Sequence, residues 1–587
     1  MEITIEFCGM SGDGTIAAGG LLNEAVARQG FHVLAFDSYP AEIRGFGKCV
    51  TRSTIGESSL NALADHTDIL VSLDDKQALS RIEFLKQDAL ILFDNHPPTL
   101  VPEGQAIAGH CGPAMTLLGV PFADLAGQVS GGKRGRNIVA LGALAACLRL
   151  PQDSFKTAIT EKFAAKGKDI LAPNIRCFEA GYEFILNRTE NKFDMLPVLH
   201  APNASSNLEL LSGNVAIGQG ALDAGLKLYF GYPITPATPI MEYLAKELPP
   251  KGGDVIQMED EISSIGAVLG SFYAGKRAMT ATSGPGFALM TELITHGVMA
   301  EIPAVIIDAQ RGGPATGLPT KTEQSDLHAA VFGGPGDCPR IVLAPTNVLE
   351  CYLLTLKAFQ LAETYQSPVI ILTDFFLDNR VETVRRPSIS HRDKADGNIY
   401  PSETAKGNYR RYAITESGIS PRSIPGMEGY CFAATGLEHS EKGIPNYDPE
   451  NHMQMSAKRL RKILGALRDL PEPEPYFLDH KVEIGVISWG STFGTALESV
   501  RIARSEGISA AALKVISLYP IHEELIRRFI RKCENILIPE LNMQGQLATL
   551  ISHLGEGRVY RLNEATGVPM RVRTILDRIR LLARSQG

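Results

Sequence analysis

Four short stretches between Gly231 and Asp326 combine residue types that can bind a small anionic substrate. They are Gly231-Tyr-Pro-Ile-Thr-Pro-Ala-Thr238, Glu259-Asp-Glu261, Ser283-Gly-Pro-Gly286 and Arg311-Gly-Gly-Pro-Ala-Thr-Gly-Leu-Pro-Thr-Lys-Thr-Glu323. Each lies where a strand-like apolar run gives way to a helical pattern, which is where open α/β sheets collect their ligands. The sequence therefore predicts a ligand site built from sheet-end loops.

Arg311 ends the apolar run Ala304–Gln310 and enters a Gly-Gly-Pro turn, which predicts a guanidinium above the sheet. Arginine is suited to bidentate capture of a carboxylate. A surface arginine with a local partner fits the same sequence. The polar residues that follow, including Thr320 and Lys321, either complete a pocket or are solvated.

Two prolines, Pro233 and Pro236, predict a rigid loop after the strand that ends near Tyr232. A rigid loop suits a hydroxyl that must meet a substrate carbonyl or carboxylate. Thr235 is the candidate hydroxyl, and a purely structural role fits it equally. Thr238 is interpreted as the cap of the next helix.

Glu261 opens a helix rich in small residues, which permit close approach of another surface. An exposed carboxylate in the first turn would gain from the helix dipole. The functional alternative is a buried carboxyl that shares a proton with a heterocycle nitrogen. The sequence leaves both interpretations open.

The elements that must position these groups alternate between strands and helices in three segments. Such alternation predicts an α/β protein with mainly parallel sheets. In the first segment the predicted strands are Ile3–Cys8, His32–Phe36, Asp68–Leu73 and Ala89–Asp94. The predicted divisions are a first domain over 1–190, a linker over 191–208, a central domain over 209–380, an irregular extension over 381–480 and a last domain over 481–587.

Composition restricts the function classes. The chain has 587 residues, a formal net charge of -8 and 44% hydrophobic residues, so it lacks the basic footprint of a nucleic-acid-binding protein. The start reads as a first strand and not as a signal peptide, and no apolar run approaches the roughly 20 residues of a membrane helix. We therefore predict a cytoplasmic protein that binds neither nucleic acid nor membrane, with the Lys458–Lys462 cluster as a solvated face.

Cysteine and glycine patterns argue against two kinds of site. Nine scattered cysteines include no Cys-x-x-Cys pair, whereas an iron–sulfur cluster needs about four clustered thiolates. Gly12-Asp-Gly14 is a strand-to-helix turn that could face an anion, or one in which Asp13 caps the first helix amides. The stretch Ala35–Ile43 contains no asparagine to complete a magnesium–diphosphate signature, so no metal site is assigned to this chain.

In combination, the Tyr-Pro-Ile-Thr-Pro and Arg-Gly-Gly-Pro stretches resemble the α subunit of 2-oxoacid:ferredoxin oxidoreductases, particularly the 2-oxoglutarate type with a fused N-terminal γ domain. The resemblance covers nearly the whole chain. Ser38-Tyr-Pro-Ala-Glu-Ile-Arg-Gly45 looks like a γ-domain motif, with Pro40 in place of the usual glycine. Further supporting phrases are Thr435-Gly-Leu-Glu-His439, Ser488-Trp-Gly-Ser-Thr492 and Glu540-Leu-Asn-Met-Gln-Gly-Gln-Leu547.

The resemblance implies a γ domain that helps to close over coenzyme A (CoA), a thiamine diphosphate pyrimidine-binding fold in the centre and a transketolase C-terminal-like fold at the end. Thiamine diphosphate would be shared with a β subunit that carries Mg²⁺ and a [4Fe-4S] cluster, in an (αβ)₂ assembly served by ferredoxin. The implied reaction converts 2-oxoglutarate and CoA to succinyl-CoA, CO2 and reduced ferredoxin, or runs in reverse. Pyruvate or another 2-oxoacid is the nearer alternative substrate. A nucleotide- or CoA-binding dehydrogenase subunit acting at Gly12–Gly14 is the alternative class.

The same resemblance implies roles for individual residues. Glu261 would contact the aminopyrimidine ring, Arg311 would hold the 2-oxoacid carboxylate, and Thr235 would bond near the substrate's carbonyl or carboxylate. Thr320 aligns with the family's substrate-loop threonine, and Lys321 is the candidate for the distal carboxylate of 2-oxoglutarate. The other implied cofactor contacts are Tyr232, Pro233, Ile234, Ser283, Gly284 and Pro285.

Overall fold

A computed structural model of the chain describes residues 1–38, 47–95, 107, 109–188, 208–388, 397–478, 480–555 and 558–584. Two compact units divide the chain: Met1–Leu211 with Arg380–Arg386, and Ser212–Asn379 with Pro387–Gly587. The predicted γ-domain motif at 38–45 lies outside the described residues except for Ser38, as does the predicted linker except for Leu208. The domain boundaries stay a prediction.

The described strands are β1 Glu2–Met10, β2 His32–Ser38, β3 Lys48–Gly56, β4 Thr67–Ser72, β5 Leu85–Asp94, β6 Thr116–Val120, β7 Glu209–Ser212, β8 Leu228–Gly231, β9 Asp254–Gln257, β10 Ala278–Thr282, β11 Ala304–Gln310, β12 Ile341–Leu343, β13 Pro368–Asp374, β14 Val381–Val384, β15 Glu474–Tyr476, β16 Val482–Ser488, β17 Ala510–Lys514, β18 Ser517–Tyr519, β19 Cys533–Glu540 and β20 Arg558–Asn563. The described α-helices are α1 Thr15–Arg28, α2 Asp75–Leu79, α3 Phe122–Ser130, α4 Arg136–Cys147, α5 Gln152–Phe163, α6 Lys168–Leu186, α7 Gly213–Asp223, α8 Thr238–Glu247, α9 Glu261–Tyr273, α10 Gly284–Met299, α11 Leu327–Phe332, α12 Val348–Tyr365, α13 Phe375–Asn379, α14 Pro449–Leu464, α15 Thr492–Ser505, α16 Glu523–Arg531, α17 Gln546–Leu550 and α18 Val572–Arg584. No helix in the described ranges is long and apolar enough to cross a membrane.

The sheet of the first unit is mixed. Its described strands follow the order β6-β5-β4-β1-β3-β2-β14-β7, parallel from β6 to β1 and antiparallel where β3 meets β1 and β2. The prediction of a parallel sheet is thus correct for one half of it. Strand β3 was not predicted, because its buried positions include the polar residues Thr51, Ser53 and Thr54, which hide the apolar pattern of a central strand.

The Gly12–Gly14 turn needs its glycines, since Gly12 and Gly14 have φ of 98° and 79°. Asp13 does not cap helix α1, contrary to one sequence interpretation: the helix begins after Gly14 without a side-chain cap. Asp13 instead accepts a hydrogen bond from the Met10 amide at 2.8 Å and pairs with Arg136 at 2.5 Å. The Asp13 carboxylate is therefore bonded to the end of β1 and to Arg136.

The sheet that positions the predicted site has the described order β18-β12-β13-β11-β10-β8-β9. Its strands run parallel except for β18 at one edge. The carboxyl ends of β9, β8, β10 and β11 consequently lie side by side, and each of the four predicted stretches follows one of them. Helix α8 begins at Thr238 with Ala237 as its N-cap and no side-chain cap, so the interpretation of Thr238 as a cap is wrong.

The last segment, together with β15 just before it, forms a sheet of order β15-β17-β16-β19-β20, parallel except for β15. Strand β18 of this segment leaves that sheet and pairs antiparallel with β12 of the preceding one. Three sheets with helices between their strands confirm the predicted α/β class. Residues 482–584 and the sheet of the predicted site are thus joined by backbone pairing.

The segment 397–478 combines irregular chain with helix α14 and strand β15, and it buries the aromatic rings of Tyr409, Tyr412 and Tyr430. Lys458 and Lys462 were predicted to be solvated, but the structure buries both of them against Glu301. Burial alone would raise the pKa of Glu301, yet the two ammonium groups hold it well below its usual range. These ion pairs with Glu301 explain how two charged lysines can be buried in the protein interior.

Candidate active site

Arg311 follows β11 directly and is only 7% exposed. Its Nη1 donates a hydrogen bond to the carbonyl oxygen of Thr235 at 2.8 Å, although β10 lies between the strands that lead to the two residues. Burial lowers the pKa of Arg311, and the charge of Asp326 opposes that effect. Because Nε is buried without a hydrogen-bond partner among the described residues, the guanidinium retains capacity for an anionic ligand.

Glu261 is the first residue of helix α9 and is 6% exposed. It is not the helix cap, because Asp260 accepts from the Ser263 amide at 2.7 Å and completes a capping box with that residue. No hydrogen bond joins the Glu261 carboxylate to another described residue. A buried carboxylate at the positive end of a helix is thereby left available for a ligand.

Gly286, in the first turn of α10, makes the space for Glu261. A Cβ atom at this position would lie 2.5 Å from Glu261 Oε1, 2.6 Å from its Cγ and 2.1 Å from Thr282 Oγ1. Ser283 at the N-cap of α10 is fully buried, and its hydroxyl has no partner among the described residues. The Ser283-Gly-Pro-Gly286 turn therefore approaches the Glu261 carboxylate closely at Gly286, where no side chain intervenes.

Asp326 lies against the same helical turn. A Cβ at Gly284 would be 2.7 Å from Asp326 Oδ2, an atom that is buried and unpartnered among the described residues. Burial and the charge of Glu323 raise the pKa of Asp326 to about 6, while Arg311 acts in the opposite direction. Asp326 is the last residue of the predicted region, and no sequence pattern identifies it as a site residue.

Two further carboxyls, Asp308 on β11 and Asp378 on α13, are fully buried, and their oxygens lack partners in the described chain. Burial raises the pKa of Asp308 well above its usual value, and the charges of Asp326 and Asp378 add to the effect. Burial likewise raises the pKa of Asp378. A lone carboxyl inside the apolar run Ala304–Gln310 was the sequence signal that could have identified Asp308.

The loop after Arg311 closes on itself. Gly312 donates its amide to the Lys321 carbonyl at 3.0 Å, and the Leu318 amide donates to the Gly312 carbonyl at 2.8 Å. Thr320 and Lys321 are half-buried, and Lys321 forms no ion pair with a described residue. The closed loop thus holds Lys321 at one end and Arg311 at the other.

The remaining predicted contacts lie on the rim of this site. Tyr232 is 43% exposed, Pro233 is exposed, and Ile234 is half-buried. Exposed apolar side chains occupy the same loops and helix turns, namely Tyr232, Ile262, Leu289, Leu318 and Phe332.

Family models match the chain in three blocks. Residues 4–184 match a model described as pyruvate ferredoxin/flavodoxin oxidoreductase, and residues 482–575 match pyruvate:ferredoxin oxidoreductase core domain II. Between them, residues 219–458 match the thiamine diphosphate-binding model of pyruvate flavodoxin/ferredoxin oxidoreductase. All four predicted stretches lie within this middle block.

Relatives resemble the chain over nearly its whole length. The 2-oxoglutarate oxidoreductase subunit KorA of Mycobacterium tuberculosis is 32% identical over 94% of this chain and 87% of its own length. The chain belongs to the 2-oxoacid:ferredoxin oxidoreductase family. Subunit alpha of 2-oxoacid:ferredoxin oxidoreductase 2 from Aeropyrum pernix is 29% identical, covering 94% of this chain and 93% of its own.

The fold of a solved 2-oxoacid:ferredoxin oxidoreductase also matches the fold of this chain. It is the 2-oxoglutarate:ferredoxin oxidoreductase from Magnetococcus marinus with 2-oxoglutarate, CoA and succinyl-CoA bound, at a TM-score of 0.92 and 34% identity over 99% of both chains. Family membership makes the protein an oxidoreductase with a thiamine diphosphate-binding region. Its relatives include α subunits of multi-subunit enzymes.

Proposed function

We propose that this chain is the α subunit of a 2-oxoglutarate:ferredoxin oxidoreductase. The enzyme would convert 2-oxoglutarate and CoA to succinyl-CoA, CO2 and reduced ferredoxin, or run in reverse. One observation carries the proposal: a buried Arg311, bound to the Thr235 loop, lies at the same end of the sheet as a buried Glu261 that forms no hydrogen bond with another described residue. The Magnetococcus marinus relative supports the choice of substrate, since it was solved with 2-oxoglutarate bound.

Thiamine diphosphate fits the space beside Glu261, at the carboxyl ends of the parallel strands. Gly286 keeps open a space that a Cβ would fill, and Glu261 offers a buried carboxylate to a ring nitrogen there. The loops Tyr232–Ile234 and Ser283–Pro285 would line the same space. When bound, thiamine diphosphate supplies the carbanion stabilisation that decarboxylation of a 2-oxoacid requires. The task of Glu261 is to hold a proton at the aminopyrimidine ring.

Arg311 would bind the carboxylate beside the reacting carbonyl. Its bond to the Thr235 carbonyl fixes the guanidinium, so less side-chain entropy is lost when the substrate binds. The Thr235 hydroxyl would bond near the substrate's carbonyl or carboxylate. Lys321, without an ion pair in the described chain, is the group we assign to the distal carboxylate, with Thr320 beside it.

A second subunit would complete the site. Exposed apolar side chains on the rim, such as Tyr232 and Leu289, are suited to burial against another chain. That β subunit would carry the diphosphate–Mg²⁺ motif and the [4Fe-4S] cysteines that this sequence does not provide, in an (αβ)₂ assembly that reduces ferredoxin. The N-terminal segment would act as the γ domain that closes over CoA. A cytoplasmic location belongs to the same proposal, because the nine cysteines, all within described residues, are free thiols.

The proposal is tested with the co-expressed αβ complex. Viologen reduction is measured with CoA and each of 2-oxoglutarate, pyruvate and a branched-chain 2-oxoacid. We expect the highest kcat/KM for 2-oxoglutarate. Preference for pyruvate would overturn the substrate assignment. Reduction of a nicotinamide nucleotide in place of the viologen would favour the dehydrogenase alternative.

A further inference from the structure

Two sequence motifs of the C-terminal segment 482–584 have no role in the site described so far. They are Ser488-Trp-Gly-Ser-Thr492 and Glu540-Leu-Asn-Met-Gln-Gly-Gln-Leu547. Both meet at Gln324, which is fully buried and lies three residues after Lys321. The C-terminal segment therefore contacts the chain immediately beyond the proposed substrate loop.

Gln324 is held at both backbone and side chain. Its amide donates to the Leu541 carbonyl at 2.8 Å, and its carbonyl accepts from Asn542 Nδ2 at 2.9 Å. Its Nε2 donates to the Trp489 carbonyl at 3.3 Å, and its Oε1 accepts from the Thr492 hydroxyl at 2.6 Å. A buried glutamine whose backbone and side-chain groups are all hydrogen-bonded is fixed in one position, because any displacement would leave polar atoms unpaired.

Neighbouring residues extend the same attachment. Gln546 Nε2 donates to the Ser325 carbonyl at 2.7 Å, and Gln546 Oε1 accepts from the His328 amide at 3.0 Å. The Thr322 amide donates to the Gly567 carbonyl at 3.2 Å. We refer to Asn542, Gln546 and Gly567 as the C-terminal clasp.

The clasp is connected to both proposed substrate-binding groups. A Cβ at Gly567 would lie 3.0 Å from Lys321 Cβ, so the clasp backbone touches the Lys321 side chain. The Lys321 carbonyl in turn accepts from the amide of Gly312, the residue after Arg311. On the sheet side, the Thr322 hydroxyl donates to Asp374 at the end of β13 at 3.0 Å. The loop that bears Lys321 and Arg311 is thus fixed between the sheet and the C-terminal segment.

We propose that Asn542 and Gln546 are positioning residues for the 2-oxoacid: they hold residues 322–328 in place and thereby set the position of Lys321 relative to Arg311. The identity of the ligand in this inference rests on the proposed function, but the clasp itself does not. Glu261 lies on α9, outside the clasped segment. Loss of the clasp should therefore weaken substrate binding more than it slows the chemical step.

Asn542→Ala is the principal test, and Asn535→Ala is the control for loss of a buried asparagine side chain elsewhere in the segment. Both side chains are 2% exposed in the same segment, but Asn535 Nδ2 donates at 3.5 Å to the Glu483 carbonyl, away from the substrate loop. Asn542 also donates to Glu540 and accepts from the amides of Gly545 and Gln546, so its loss loosens the clasp itself as well as the bond to Gln324. Steady-state kinetics with 2-oxoglutarate would be measured on the αβ complex. We expect Asn542→Ala to raise KM about tenfold, the factor that corresponds to the one net hydrogen bond lost to Gln324, with kcat within about twofold of wild type.

Gln546→Met and Gln546→Glu provide a second, graded pair. The methionine removes both bonds, whereas the glutamate retains an acceptor for the His328 amide. We expect KM to rise in the order wild type, Gln546→Glu, Gln546→Met. Wild-type KM in both Asn542→Ala and Gln546→Met, or an equal rise in Asn535→Ala, would overturn the inference.

Hydrogen–deuterium exchange of residues 312–326 separates this inference from the proposed function. We expect faster exchange there in Asn542→Ala than in Asn535→Ala or wild type. If the wild-type complex oxidised no 2-oxoacid, the function would be wrong, but the exchange comparison would still decide the clasp. Unchanged exchange in Asn542→Ala would refute the clasp even in an active enzyme.

Discussion

Replacing Gly286 with alanine tests whether Glu261 acts from its present position. The added Cβ would lie 2.5 Å from Glu261 Oε1 and 2.6 Å from its Cγ, where carbon contacts ordinarily need about 3.5 Å. The added Cβ would also lie 2.1 Å from Thr282 Oγ1 at the end of β10. The Glu261 carboxyl must therefore shift by about 1 Å, the difference between the two distances.

A displacement of about 1 Å at a catalytic group costs on the order of 100-fold in rate, which is about 2.7 kcal/mol of transition-state stabilisation. Alanine also favours a helix over glycine by about 1 kcal/mol, which offsets part of the steric cost to folding. We therefore expect the Gly286→Ala complex to assemble and to lose far more activity than thermal stability.

The assay is 2-oxoglutarate-dependent viologen reduction by the αβ complex, with thermal unfolding of the same samples. Gly127→Ala in helix α3 is the control, because its Cβ would meet no atom within 4 Å. That variant should gain up to about 1 kcal/mol in the free energy of unfolding without a change in kcat/KM. Wild-type kcat/KM in Gly286→Ala would refute the assignment of Glu261.

Other substitutions test the charges around this site and in the core. Glu261→Gln should abolish most turnover while complex assembly, measured by size-exclusion chromatography, is unchanged; wild-type turnover would contradict its role. Arg311→Ala should raise the KM for 2-oxoglutarate by about 10- to 100-fold, since it removes a charge-assisted contact, and an unchanged KM would contradict substrate capture. In the wild type KM should rise as pH increases through about 6, where Asp326 ionises and competes for Arg311, whereas Asp326→Asn should show a flat profile; equal profiles would refute the competition. Glu301→Gln should cost about 3–5 kcal/mol in urea unfolding because it leaves buried ammonium groups unpaired. The folded pKa of Glu301 lies below its ordinary 4.5, so its contribution is complete above that pH and lost on strong acidification; a difference from wild type that persists in acid would contradict this sign.

The sequence was most informative where strand ends carry the chemistry. Glu261, Ser283 and Arg311 each lie shortly after the carboxyl end of a parallel strand. A correct strand pattern therefore places them at the same end of the sheet. The burial of individual side chains could not be predicted from the strand pattern. Asp326 gives no local sign that Gly284 packs against its carboxylate, because that contact depends on how α10 lies above the sheet.

Long-range pairings account for the main errors. The run Lys458–Lys462 has the pattern of a solvated helix face, and only the fold brings Glu301, which lies 157 residues before Lys458, to its ammonium groups. Strand β18 has three residues, too few for a periodic signal. It joins the sheet of the site because the outer edge of β12 is available for pairing. In both cases a distant residue determines the environment that a local pattern cannot specify.

The position of β18 has a consequence for biosynthesis. Because β12 obtains its outer neighbour from Ser517–Tyr519, the sheet that carries the site has an open edge until those residues leave the ribosome. An open strand edge invites pairing with other chains, so the nascent chain is exposed to aggregation during this interval. A chain truncated after residue 480 would keep that edge permanently, and we expect it to depend on chaperones for solubility, whatever its catalytic residues can do.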